Sequence, residues 1–132
     1  MANEAVCIET PTEFRRYTVS DAGAIPIGTI LKLSDPNTAA ASTADNEPFA
    51  GIAWEEKTAN DGIVEITAAV NGIWDLKDSG AGINAGAICN IGGANLIIAS
   101  AAADLLTGSV VGKALETAGG GEVIRVAVGR VV

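Results

Sequence analysis

The chain has 132 residues, 48% of them hydrophobic, only 4% aromatic and 18% charged, with a formal net charge of −8. That is enough chain for one domain with its own core, too apolar for disorder, and too acidic for the basic stripe that nucleic acid demands. No run approaches the roughly 18 apolar residues of a membrane span, and an acid near the start (Glu4) stands where a secretory leader needs a base, so neither membrane nor nucleic acid is expected as a partner.

Valine and isoleucine far outnumber leucine, and 16 glycines punctuate the chain, which favours strands over helices. Residues 1–20 read as an N-terminal arm or first strands, with a short extended stretch at Val6-Cys7-Ile8 and an apolar run from Phe14 to Val19. Further strands are expected at Thr29–Leu33, Phe49–Glu55, Ile63–Val70 and Ile73–Leu76, then at Ala87–Ile91, Leu96–Ala99, Ser109–Leu115 and Glu122–Val132. Val64, Ile66, Ala68 and Val70 alternate with Glu65 and Thr67, the mark of a strand with one wet and one dry face. Asn71-Gly72 after it suits a type I′ hairpin turn. Ser34–Pro48, rich in Ala, Ser, Thr, Asn and Asp, reads as an exposed loop, and alanine-rich Ser100–Leu106 as a short helix. Residues 21–132 then form a single all-β domain, a small barrel or sandwich.

Three features of the first half return in the second in the same order. Ile25–Leu33 matches Ile83–Ile91 (offset 58), Phe49–Glu55 matches Val110–Glu116 (offset 61), and Glu65–Gly72 matches Glu122–Gly129 (offset 57). Collinear matches of this kind predict two pseudo-repeated three-stranded halves, about 25–76 and 83–132, packed face to face behind an extended N-terminal arm. Gly51 and Gly112 would mark matching bulges or close strand approaches.

Chemistry is harder to place. The chain has no histidine, which removes the commonest general base and metal ligand. Cys7 and Cys89 are isolated and read as reduced, buried, apolar residues. Gly108–Ala114 is one residue short of a phosphate-binding loop and has Ala114 where a hydroxyl must reach magnesium. Gly80–Gly86 misses the dinucleotide fingerprint by one position. Glu55 and Glu56 point to opposite faces of a strand and cannot share a proton. No catalytic residue, cofactor or metal is expected. Trp54 and Trp74, the two largest rings, are expected in the core or at a contact between copies.

Ile27–Leu33, Pro48–Ala53, Val110–Glu116 and Val123–Val128 together resemble the capsid cement, or head decoration, proteins of tailed bacteriophages, over most of the chain from Ile25 onward. The resemblance implies a β-rich structural protein without enzymatic activity, often a homotrimer, bound to the major capsid protein on the outer surface of the virion, where it clamps neighbouring subunits. Residues 1–20 match nothing in that pattern. Arg15, Arg16 and Tyr17 form a basic and aromatic cluster suited to an interface, and Val6 and Ile8 could add an edge strand, so these five are the candidate capsid contacts. The competing reading is a carbohydrate-binding or adhesin-type β-sandwich.

Overall fold

Branched side chains broken by glycine and asparagine favour short strands joined by tight turns, and the chain forms almost nothing else. The computed structural model describes residues 2–105 and 107–129. In chain order the strands are β1 (Val6–Glu9), β2 (Phe14–Thr18), β3 (Ile30–Asp35), β4 (Thr38–Ala41), β5 (Phe49–Ala53), β6 (Glu65–Ala69), β7 (Gly72–Asp78), β8 (Ile88–Ile91), β9 (Leu96–Ala99), β10 (Val110–Ala114) and β11 (Val123–Val128). The only helical piece among the described residues is the single 3-10 turn Ala102–Asp104.

Two closed five-stranded barrels account for ten of the strands. The first runs β2-β4-β3-β5-β6 and closes where β6 pairs back onto β2. The second runs β7-β9-β8-β10-β11 and closes where β11 pairs onto β7, with β1 added on the outside of β7. The strand order is the same in both. Each barrel has one parallel pairing, Thr18 with Thr38 in the first and Lys77 with Leu96 in the second. Closure leaves few open strand edges to aggregate.

The equivalence extends to single residues. Leu31 lies opposite Gly51 at a bulge in the first barrel, and Cys89 lies opposite Gly112 at a bulge in the second. The bridge Ile25–Lys57 corresponds to Ile83–Ala118. Glu55 accepts a hydrogen bond from the Thr67 N–H, and Glu116 accepts the equivalent one from Arg125. These pairings correct the expected three-stranded halves in two ways. The repeating unit has five strands and begins at β2, so residues 14–18 belong inside it rather than to an extended arm. The last match is also displaced by one residue: Ala68 faces Ala53 as Val126 faces Ala114, an offset of 58, which puts Val123 and not Glu122 in the place of Glu65. One residue of slip exchanges the two faces of a strand, so 57 would have turned every inward side chain outward.

Equivalent inward positions hold different side chains. The first barrel is filled by Tyr17, Leu31, Ala53, Ile66 and Ala68, and the second by Leu76, Cys89, Ala114, Ile124 and Val126. Tyr17 spans the alanine-lined interior, and its hydroxyl donates to the Ala50 carbonyl at 2.8 Å. On the outside of the first barrel, Ile30, Ile52 and Ala69 join the second barrel's core, together with Ala5 and Trp74. Burying each of these isoleucines stabilises the chain by about 1.5–3 kcal/mol. Buried Asn95 stitches the two units: its Oδ1 accepts from the Ile30 N–H at 2.9 Å and its Nδ2 donates to the Ala2 carbonyl at 3.0 Å.

Other expectations are also revised. Ser34–Pro48 is not a loop throughout, because Thr38–Ala41 pairs with β3 around a turn in which Asn37 takes φ 51°. Asn71-Gly72 is no hairpin turn, since β6 and β7 belong to different barrels. Asn71 instead clamps the β1–β2 linker, its Oδ1 accepting from the Thr12 and Glu13 N–H groups. Trp74, 1% exposed, is consumed by the chain's own core and is no contact for a second copy. The parts of the expected last strand and helix that fall on residues 130–132 and on Leu106 lie outside the described residues.

Candidate functional site

Because the barrels share one plan, the environment of each face can be compared with its counterpart. On the first barrel, Phe14, Ile52, Trp54 and Ala69 occupy one outer face. Ile52 and Ala69 are fully covered, and Trp54 meets Trp74 edge-on with ring centroids 6.0 Å apart. Phe14 completes the stack at 5.3 Å from Trp54. The equivalent positions on the second barrel are Ile73, Lys113, Leu115 and Ala127. They are not covered. With Glu9 of β1 and Thr12 of the β1–β2 linker they line an open groove of about 400 Å³, in which Leu115 is 45% exposed. The part of this face formed by Ile52 and Ala69 is thus an internal contact in the first barrel, while its counterparts Lys113 and Ala127 lie half-buried at the surface of the second.

The five candidate capsid contacts do not form one cluster. Val6 and Ile8 lie exposed on β1, which is bound to the second barrel, whereas Arg15 and Arg16 lie exposed on β2 in the first. Tyr17 is corrected outright: it points into the barrel, because the inward position between Arg15 and Val19 needs a large side chain to fill an alanine-lined interior. Arg15 pairs with Glu13 at 3.4 Å. Arg16 is held by Glu55 at 3.4 Å and Glu65 at 3.5 Å and donates to the Thr67 hydroxyl at 2.9 Å. Hydrogen bonds from the Thr67 side chain and N–H, and then the Arg16 guanidinium, hold the Glu55 carboxyl below the usual range. Trp54, 37% exposed, remains available with Phe14 for a contact outside the chain.

Polar groups inside the fold serve structure. Lys57, which no sequence motif singles out, is fully buried at the end of the first barrel. Its ammonium donates to the carbonyls of Asp21 (2.9 Å) and Thr58 (3.1 Å) and to Asp61 Oδ1 (3.0 Å). An ammonium so surrounded by acceptors is a plug, not a nucleophile. The equivalent residue in the second barrel is Ala118, and there Asp78 secures the loops instead, its Oδ2 accepting from the N–H groups of Gly82 and Gly121. Cys7 and Cys89 are free thiols. Burial pushes the Cys89 thiol up to about 11, and burial raises Cys7 as well.

Among the described residues, no group of three His, Cys, Asp or Glu side chains is placed to hold a metal ion, and no helix is long and apolar enough to cross a membrane. What the surface offers is a largely apolar groove on one barrel and, on the other, an aromatic pair on a strand with two ion-paired arginines. Neither the protein-family models nor the curated proteins compared with this chain yield a match.

Proposed function

We propose that the chain is a non-enzymatic structural protein that decorates the outer surface of a viral capsid, assembling as a homotrimer and clamping neighbouring major capsid protein subunits. The observation that carries this reading is the open groove of Ile73, Lys113, Leu115 and Ala127, since the counterparts of Lys113 and Ala127 on the first barrel, Ile52 and Ala69, are closed by packing. A second copy seated in the groove would bury Leu115 and Ile73 much as Ile52 is buried within the chain, and exposed apolar faces of this kind mark interaction surfaces. Repetition around a symmetric shell turns weak individual contacts into firm attachment. Net charge of −8 suits a position outside the shell, away from packaged DNA.

Sedimentation velocity at micromolar concentration, followed by co-sedimentation with heads built from the major capsid protein of the same virus, tests the reading. A trimer that pellets with the heads is expected, and Leu115→Glu should return it to monomer. A wild-type monomer that ignores heads and binds sugars on a glycan array would replace it with the carbohydrate-binding or adhesin reading.

A further inference from the structure

The two barrels treat buried charge differently at their equivalent ends. In the first the chain supplies its own cation: the Lys57 ammonium sits among the Asp21 and Thr58 carbonyls and the Asp61 carboxylate. The bridge Ile83–Ala118 puts Ala118 in the place of Lys57, so the second barrel carries no ammonium there. It carries an additional anion instead. The Asp78 N–H donates to the Glu122 carbonyl as the Val19 N–H donates to the Val64 carbonyl, which puts Asp78 in the place of apolar Val19. Asp78 is 1% exposed and makes no ion pair among the described residues. Its Oδ2 accepts from the Gly82 and Gly121 N–H groups at 2.9 Å each, whereas its Oδ1 is buried with no hydrogen-bond partner. A carboxylate taken out of water is costly unless it is paired. Its field reaches the core: burial chiefly, and the Asp78 charge after it, push up the Cys89 thiol.

The groups nearest Asp78 are of the kind that hold a cation. Gly80 follows Asp78 by two residues as Asp21 follows Val19, and Gly119 follows Ala118 as Thr58 follows Lys57. The two carbonyls that receive the ammonium in the first barrel therefore have counterparts on the same two loops of the second. Asp78 draws those loops together by binding both Gly82 and Gly121, and a Cβ on Gly120 would lie 3.2 Å from the Gly80 carbonyl oxygen. We propose that this end of the second barrel binds one monovalent alkali cation, held by Asp78 Oδ1 and the Gly80 and Gly119 carbonyls, in the role that the Lys57 ammonium plays in the first. Backbone carbonyls beside a single carboxylate suit such an ion and need no histidine, thiol or second acid. Charge decides the valence: one positive charge neutralises the one buried carboxylate, whereas calcium asks for about six to eight oxygens and more negative charge. The bound ion ties the two loops across the barrel end, so its effect is on stability. The inference stands on the comparison of the barrel ends and is independent of the capsid reading, so either can fail alone.

The probe is sodium. The full-length protein is melted in sodium chloride and in N-methylglucamine chloride at equal ionic strength, the organic cation being too large for the site. The wild type should melt about 4 °C or more higher in sodium, and it should broaden the sodium NMR line. Asp78→Asn keeps the shape of the side chain and removes its charge, so both effects should disappear. Ala118→Lys installs the first barrel's arrangement, so that protein should melt alike in the two salts and leave the sodium line sharp. Equal melting of the wild type in both salts, a sodium dependence that survives Asp78→Asn, or a response to calcium without one to sodium would each overturn the proposal.

Discussion

Gly112→Ala tests the close approach of β10 and β11 most sharply. A Cβ at this position would lie 2.2 Å from the Ala127 carbonyl oxygen and 2.8 Å from the Val128 Cα. Relieving that overlap needs a shift of about 1 Å, and both obstacles are backbone. β11 cannot give way locally, because it is paired with β7 from Val123 to Val128 while β10 is held by β8 on its other side. Overpacking in such a setting belongs at the upper end of its usual range, about 3 kcal/mol. For a chain of this length that lowers the melting temperature by roughly 10 °C. Two other glycines calibrate the measurement. Gly23 has no atom within 4 Å of its would-be Cβ, so Gly23→Ala should melt with the wild type. Gly51, the equivalent of Gly112, meets the Ala69 carbonyl oxygen at 2.9 Å and also takes φ 152°, so Gly51→Ala adds backbone strain to a milder overlap and should melt well below the wild type too. The assay is thermal unfolding by circular dichroism, with urea midpoints as a second scale. A Gly112→Ala protein melting within about 2 °C of the wild type would refute the reasoning, since a closed barrel that absorbs 1 Å is not packed as described.

Other outcomes follow from the buried polar groups. Desolvation pushes Glu47 up, but hydrogen bonds from Lys32, from the Thr43 and Ala44 N–H groups and from the Thr43 hydroxyl outweigh it and hold its pKa at about 2, against an ordinary 4.5. A depressed carboxylate stabilises the fold above pH 4.5 and loses that contribution as pH falls towards 2, so Glu47→Gln should flatten the acid limb of a stability–pH curve in that window. Lys57→Met takes the buried ammonium away from the Asp21 and Thr58 carbonyls and from Asp61 and should lower the urea midpoint; an unchanged midpoint would contradict its role as a plug. Iodoacetamide at pH 8 should label Cys7 faster than Cys89, whose pKa is about 11, and equal rates by mass spectrometry would place Cys89 outside the barrel interior.

Periodicity and turn chemistry made the all-β class legible, and the collinear matches pointed to an internal repeat. The size of the repeating unit was not legible, because two of its strands carry weak signals. β4 is Thr38-Ala39-Ala40-Ala41, a run that reads as loop or helix on propensity and becomes a strand only because β3 and β2 flank it. β2 carries Arg15 and Arg16 in its middle, which resembles a solvated arm, yet Tyr17 turns inward and anchors it. Glu122 and Glu65 misled the register by one residue, since an acid can precede a strand as readily as begin it. The surfaces were less legible still. Trp54 and Trp74 are alike in sequence, but one is half-exposed and the other buried, a difference that depends on which barrel face meets which. Nothing local in the sequence marks Leu115 and Ile73 as a groove.

The duplication also explains why the exposed features are where they are. Two copies of one barrel packed by a two-fold contact would bury the same face on each. Here the contact is unlike on its two sides: the first barrel contributes Ile30, Ile52 and Ala69, while their equivalents Ile88, Lys113 and Ala127 stay only half-buried. Such a heterologous contact leaves the groove on the second barrel without the cover that Ile52 and Ala69 have on the first. Lys113 stands in the open groove where Ile52 is buried, and Arg15, paired with Glu13, stands exposed where Trp74 is buried. Each substitution puts a charge where its counterpart is apolar, which works against indiscriminate end-to-end stacking of barrels.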